Sequence, residues 1–109
     1  MNHLNLPKPI AAYFEADRKD PDAVARCFTP QGVVKDENHI HTGPDAIRAW
    51  KEDASAAYTY TSEPRAIELK DGVHIVTSHV AGNFPGSPID LRYGFRLERG
   101  RIASLEITV

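Results

Sequence analysis

The spacing of apolar residues changes near Ser55, and this change constrains the fold more than any other feature. Before Ser55 most apolar residues recur every three or four positions, which is typical of amphipathic helices. After Ser55 they alternate with polar residues to the end of the chain, as in half-buried strands. The sequence therefore predicts helices followed by a meander of long antiparallel strands, an α+β fold in a single domain over residues 1–109.

Proline and capping residues mark three short helices. The first is predicted from about Pro9, and residues 1–8 are expected to form a flexible leader. The second begins at Pro21, where Asp20 supplies a capping side chain, and ends within residues 29–32. The third, of about 13 residues, follows the break at 42–44. The inner faces are expected to carry Ile10, Tyr13, Phe14 and Ala16, then Val24, Cys27 and Phe28, then Ile47, Trp50 and Ala54, with Arg48, Lys51 and Glu52 in water.

Strands are predicted at residues 33–36, 39–41, 58–69, 73–84, 89–98 and 101–109. A break is expected near Pro64, a hairpin turn at 70–72 and a loop at 85–88. Four of these strands are long enough to form a curved sheet with a concave face. Three short helices cannot fill that face, so a small-molecule pocket is expected between helices and sheet.

The charge and cysteine content exclude several classes of function. The 109 residues include 13 basic and 15 acidic residues, spread along the chain, and this pattern does not favour nucleic acid or an anionic membrane as a partner. The single Cys27 cannot form an internal disulfide and is interpreted as an inert apolar residue. With no signal-like or membrane-spanning apolar run, the expected setting is the cytoplasm.

Asp36 closes the strand 33–36 and is the main candidate for acid/base chemistry. Alternation places it on the same face as Val34, a residue expected in the core. An acid/base role requires a partly desolvated carboxyl within hydrogen-bond reach of a substrate proton. The alternative is a turn residue whose carboxylate caps the backbone N–H of Asn38 or His39.

The order of elements and three segments resemble a known family. The segments are the stretch 28–36 ending in a strand carboxylate, the helix start at 43–50 and the loop at 84–88. They resemble the nuclear transport factor 2-like superfamily, and within it the SnoaL-like polyketide cyclase and ketosteroid isomerase group. The resemblance covers roughly residues 9–109. It implies a cone-shaped barrel of curved, mainly antiparallel sheet around a pocket that three N-terminal helices close.

The resemblance also implies catalytic roles. Asp36 matches the base that moves a proton next to a carbonyl, and Tyr13 matches a helix tyrosine that donates to the developing oxyanion. The second donor of the isomerases, a protonated aspartic acid, has no counterpart, since Tyr93 stands at about that position. A phenol can also donate a hydrogen bond, so enolate stabilisation remains open. Tyr13 equally fits a core tyrosine on an apolar helix face.

The histidines allow several interpretations. His39 and His41 would share one strand face, and together with Asp36 they could form a metal site, but nothing fixes their geometry and no metal is expected. A histidine beside Asp36 that relays a proton is favoured instead. His79 lies in mid-strand and points either into the pocket or to the outer sheet face. The predicted pocket residues are Tyr13, Phe28, Val34, Asp36, Trp50 and Tyr93, with His39 and His79 as further substrate-binding candidates.

The sequence therefore supports two alternative hypotheses about function. The first is an enzyme without a cofactor that abstracts a proton next to a carbonyl of a small apolar, aromatic or polycyclic compound, with Asp36 as base. The second is a ligand-binding or interaction module that breaks no bond. Epoxide or ester hydrolysis is less favoured, since no second carboxylate clearly shares the face of Asp36. A homodimer through the outer face of the sheet is expected, because that face keeps apolar residues.

Overall fold

Three helices and six strands make up the part of the chain that the computed structural model describes, residues 4–109. The first three residues of the expected leader lie outside this range. Leu6 packs against the core and Lys8 begins the first helix, so regular structure starts within the expected leader. The elements are α1 (Lys8–Asp17), α2 (Pro21–Arg26), β1 (Phe28–Asp36), β2 (His39–Thr42), α3 (Pro44–Ala57), β3 (Tyr60–Lys70), β4 (Val73–Gly82), β5 (Ile89–Glu98) and β6 (Arg101–Thr108).

Local signals set the helix starts, but tertiary pairing moves one boundary. The Asp20 side chain accepts a hydrogen bond of 2.8 Å from the backbone N–H of Ala23, which caps α2 as predicted. However, α2 ends at Arg26, and Phe28 belongs to β1, not to the helix face on which it was expected. Phe28 pairs with Ile102 of β6, and the register then shifts before Val33. A bulge of this kind interrupts the pattern on which a sequence-based boundary depends.

The strands form one sheet in the order β2-β1-β6-β5-β4-β3. Neighbouring strands run antiparallel except β1 and β6, which are parallel. The register shifts in the pairings of β1 with β6, β3 with β4 and β5 with β6, and such irregularities allow the sheet to curve around the helices. The α+β architecture is confirmed, with one refinement: β2 and β3 are free edges, so the curved sheet is open and not a closed barrel.

The concave face of the sheet and the inner faces of the helices form one core. Five aromatic rings lie at its centre, with neighbouring centroids 5.2 to 6.3 Å apart: Tyr13, Phe14, Phe28, Tyr93 and Phe95. Most of these pairs pack edge-on, which suits the charge distribution of aromatic rings, whereas Tyr93 and Phe95 are stacked. Two members of this cluster, Tyr13 and Tyr93, also line the space that remains open between the helices and the sheet.

The burial of alternate residues shows which side chains of β4 lie on the outer face of the sheet. Val76, Ser78 and Val80 are buried on the inner face, so alternation directs His79 outward. The Nδ1 atom of His79 lies 2.9 Å from the Asp90 carboxylate on β5. Ile75 is half-buried and lies on the same outer face. The homodimer that would cover apolar residues of this kind stays a prediction. Within residues 4–109 no helix is long and apolar enough to cross a bilayer.

Candidate functional site

An open cavity of about 520 Å³ lies between α1, α3 and the concave face of the sheet. This volume is in the range of small-molecule sites, which are mostly apolar with a few polar groups. Its walls are mainly aromatic and aliphatic, and several ionisable or phenolic residues from different elements also line it. The lining residues used below are Tyr13, Asp36, Trp50, Lys51, Tyr60 and Tyr93.

Asp36 is half-buried at the cavity wall, where β1 ends. Its Oδ2 atom accepts a hydrogen bond of 3.1 Å from the indole Nε1 of Trp50 on α3. The side-chain contact observed for the carboxylate is thus the indole and not a backbone N–H in the turn that follows. The indole hydrogen bond helps to orient the carboxylate through Oδ2, and Oδ1, which this bond does not engage, keeps both lone pairs to take a proton from a ligand.

Replacing Trp50 by phenylalanine tests this contact. We expect the free energy of unfolding to fall by roughly 1.5 to 3 kcal/mol, because a hydrogen bond to a charged acceptor is lost. The ring also becomes smaller, so a double-mutant cycle with Asp36→Ala is needed to isolate the hydrogen bond. Urea unfolding followed by circular dichroism gives the coupling energy, and a value near zero would mean that the contact contributes nothing to stability.

Three tyrosine phenols surround the cavity in their neutral form. Burial raises the pKa of Tyr13 well above its usual value, and the nearby Asp17 carboxylate raises it further. The pKa of Tyr60 is raised by burial and then by Asp17. Burial raises the pKa of Tyr93 to about 12, although the Ser62 hydroxyl, 3.5 Å from its own, acts in the opposite direction. These phenols therefore keep their protons and can donate hydrogen bonds at any physiological pH.

A buried ion pair adjoins the cavity, and this corrects the expectation that Lys51 lies in water. The Lys51 side chain is only 5% exposed and that of its partner, Asp17 on α1, only 4%. The Lys51 Nζ atom donates to the Tyr60 hydroxyl at 2.5 Å, and that hydroxyl donates to Oδ1 of Asp17 at 3.3 Å. A charge this deeply buried is retained only when it is paired and hydrogen-bonded.

The spacing of residues along the helices indicated that both members of this pair could be buried. Asp17 lies four residues after Tyr13, and Lys51 lies four residues after Ile47, so each occupies the turn beyond a buried residue on the same helix face. The sequence interpretation assigned Lys51 to solvent because of its charge. What it lacked was the packing of α1 near α3, which brings the two charges together.

The other predicted site residues divide between the cavity and the rest of the molecule. Tyr13, Asp36, Trp50 and Tyr93 line the cavity. Phe28 and Val34 were also expected there, but the structure places them in the hydrophobic core, where they are 3% and 0% exposed. His39 lies exposed on the edge strand β2, with Nδ1 3.0 Å from the Glu37 carbonyl oxygen, and His79 faces outward; neither is among the lining residues.

The histidine pair does not assemble a metal site. His41 packs near the Trp50 ring, with centroids 6.1 Å apart, whereas His39 is held at the hairpin turn. Over residues 4–109 no three side chains of histidine, cysteine, aspartate or glutamate are grouped so that they could bind a metal ion. The polar groups along the cavity are the carboxylates of Asp36 and Glu37, the ammonium of Lys51 and several phenols.

This combination of a curved open sheet, three helices and an apolar cavity is the nuclear transport factor 2-like fold. The family model of the SnoaL-like domain matches residues 10–105, and the chain belongs to this family. The resemblance inferred from residues 28–36, 43–50 and 84–88 is thereby confirmed. No curated protein matches the sequence significantly.

Solved structures agree with this assignment. The chain is 39% identical to a Sinorhizobium meliloti protein described as a "putative polyketide cyclase", with a TM-score of 0.91 over 99% of this chain and 100% of that one. A Catenulispora acidiphila protein with a ketosteroid isomerase-like fold, crystallised with trimethylamine, is 18% identical, with a TM-score of 0.84 over 96% and 87% of the two chains. The epoxide hydrolase/cyclase-like enzyme SalBIII is 22% identical, with a TM-score of 0.76 over 91% and 85%. The last two similarities concern the fold alone.

Proposed function

We propose that this protein is a cofactor-independent enzyme that abstracts a proton next to a carbonyl of a small apolar or polycyclic compound. The observation that carries the proposal is the Asp36 carboxylate at the wall of an aromatic cavity, held by the Trp50 indole at 3.1 Å. A carboxylate fixed through one oxygen presents the other to a ligand C–H bond, as general base catalysis requires. Family membership and the 39% identical Sinorhizobium meliloti chain support a reaction of the cyclase or isomerase type.

The proposed chemistry needs only groups of this chain. Asp36 takes a proton from the carbon next to the carbonyl, and the C–H electron pair moves into a new carbon–carbon double bond. The carbonyl electrons move onto oxygen, where the neutral phenols of Tyr13 and Tyr93 are candidate donors. Return of the proton to another carbon gives an isomer. Attack of the enolate carbon on a second carbonyl instead closes a ring, and the alkoxide formed there takes the proton back from Asp36.

Proton exchange tests the proposal without the natural substrate. A panel of cyclic and aromatic ketones is incubated in D₂O with the protein, and loss of the proton next to the carbonyl is followed by NMR. We expect at least one ketone to exchange faster than in buffer, and Asp36→Asn to reduce that catalysed rate by about 10² to 10⁴. Asparagine can still accept the indole hydrogen bond, so the variant removes the base and keeps the contact.

A matched control separates the base from a general effect of charge. Asp90→Asn also removes one carboxylate, but Asp90 is exposed on the outer face beside His79 and does not line the cavity. Its exchange rate is expected to equal that of the wild type. Full catalysis in Asp36→Asn would contradict the proposal. Ketones that quench the fluorescence of Trp50, the single tryptophan, but never exchange would favour the ligand-binding module.

A further inference from the structure

The ammonium of Lys51 is an unusual group for the wall of an apolar cavity. Lys51 is 4% exposed and lines the cavity, whereas its partner Asp17 is absent from the cavity wall formed by residues 4–109. Of the two charged residues, the cationic one is therefore the one that contributes to the cavity wall.

The hydrogen-bond inventory of Lys51 leaves one donor for a ligand. An ammonium has three N–H groups and no acceptor. One is directed to Asp17 and one to the Tyr60 hydroxyl at 2.5 Å. The Tyr60 hydroxyl donates its own hydrogen bond to Asp17. Tyr60 therefore orients Lys51 and has no second donor for a ligand.

Two aromatic rings further restrict the position of the ammonium. The Nζ atom lies 5.0 Å from the centroid of the Trp50 ring and 5.1 Å from that of Tyr60, distances typical of cation–π contacts. The same Trp50 side chain holds Asp36 through its indole N–H. One residue thus positions both a carboxylate and an ammonium at the same cavity.

We infer that Lys51 is the electrophilic group of the site, donating its third N–H to the carbonyl oxygen of the ligand and to the enolate oxygen that replaces it. This inference rests on the proposed function and deepens it. Asp36 removes the proton from carbon and becomes neutral, while the negative charge moves to the oxygen that contacts Lys51. Charge is conserved: the pair of a carboxylate and a neutral ketone becomes a carboxylic acid and an enolate.

A charged donor suits this task better than the neutral phenols alone. Hydrogen bonds in which one partner is ionised are roughly twice as strong as neutral ones, and the bond from an ammonium strengthens further as the oxygen becomes negative, which favours the transition state. Asp17 and Tyr60 act as positioning residues, since they fix the ammonium before the ligand arrives. A preorganised donor needs no rearrangement during the reaction.

The test uses 4-nitrophenol as a probe, because its phenolate resembles an enolate oxygen on a ring and absorbs visible light. Asp36→Asn serves as the background, since a neutral residue 36 reproduces the charge state of the proposed intermediate. The midpoint of ionisation of the bound probe is compared with that of the free probe. We expect the phenolate-to-phenol ratio on this protein to be at least about tenfold higher than in solution at equal pH, a midpoint lower by one unit or more.

Removing the ion pair as a unit shows whether Lys51 causes the shift. Adding Asp17→Asn and Lys51→Met to the background leaves the net charge unchanged, and the preference for phenolate is expected to disappear. The matched control adds Lys35→Met and Glu106→Gln, which remove an exposed ion pair with Nζ and Oε2 3.7 Å apart. That control is expected to keep the full preference, and unfolding curves establish that each variant is folded.

Three results would overturn the inference. The first is a preference for phenolate that persists after the Asp17 and Lys51 charges are removed. The second is an Asp36→Asn protein that shows no preference for phenolate. The third is an Asp36→Asn protein to which phenolate does not bind detectably. If the combined variant does not fold, Tyr60→Phe, which removes only the hydroxyl that orients Lys51, should reduce the preference; an unchanged ratio there would count against it. None of these readouts requires turnover, so they are independent of ketone exchange by Asp36.

Discussion

Lys51→Met is expected to lower the free energy of unfolding by about 3 to 5 kcal/mol. The substitution keeps the length and apolar stem of the side chain but leaves the Asp17 carboxylate, 4% exposed, without its positive partner. An uncompensated buried charge is among the most destabilising consequences of a single substitution. Urea unfolding at neutral pH, followed by circular dichroism, measures the change.

The reverse experiment removes both charges. In Asp17→Asn/Lys51→Met the amide oxygen can still accept from the Tyr60 hydroxyl, and the unfolding free energy should recover to within roughly 1 kcal/mol of the wild type. Lys35→Met, which breaks an exposed pair with Glu106, should cost less than about 1 kcal/mol. A Lys51→Met protein as stable as the Lys35→Met protein would show that the buried pair contributes little to stability.

Stability is expected to fall steeply above pH 10. Burial raises the pKa of Tyr93 to about 12, from a usual value of 10, and the pKa values of Tyr13 and Tyr60 are raised as well. The folded protein therefore keeps protons that the unfolded chain releases, so its stability is fully present below pH 10 and is lost as the pH rises toward 12. For Tyr93 alone the loss is roughly 1.4 kcal/mol at pH 11.

Tyr93→Phe isolates the contribution of one phenol. The variant cannot ionise at position 93, so the decrease of its unfolding free energy between pH 8 and pH 11 should be smaller than that of the wild type by about 1.4 kcal/mol. Comparison at pH 8 measures the effect of the substitution without ionisation, and serves as the control. Equal decreases in the two proteins would mean that the folded state does not hold the Tyr93 proton more tightly than the unfolded chain.

The sequence was informative where local physics decides the structure. Alternation along residues 89–98 directs Tyr93 and Phe95 inward and Arg92 and Arg96 outward, and the structure agrees. The cap at Asp20 also depends only on its neighbours. The placement of Asp36 on the face of Val34 follows from the two-residue period of a strand, although its indole partner lies on a helix that follows in the chain.

The remaining features depend on contacts between distant segments. Phe28 and Val34 share the inward orientation expected of pocket residues, but α2 and α3 cover that part of the sheet and place both in the core. His79 could not be assigned to a face until the register of β4 against β5 was known. The prediction that Lys51 lies in water was based on its charge and not on its position on the helix. The structure shows that Lys51 is buried because it pairs with Asp17.

The parallel pairing of β1 with β6 also governs the order in which the molecule can assemble. Asp36 pairs with Ile107, so the strand that bears the carboxylate obtains one of its two neighbours from a segment near residue 109. During synthesis the helices and β1 leave the ribosome long before β6, and they cannot complete the cavity wall until that last strand arrives. Because such distant pairings are formed late and slowly, ligand binding should report the final step of folding.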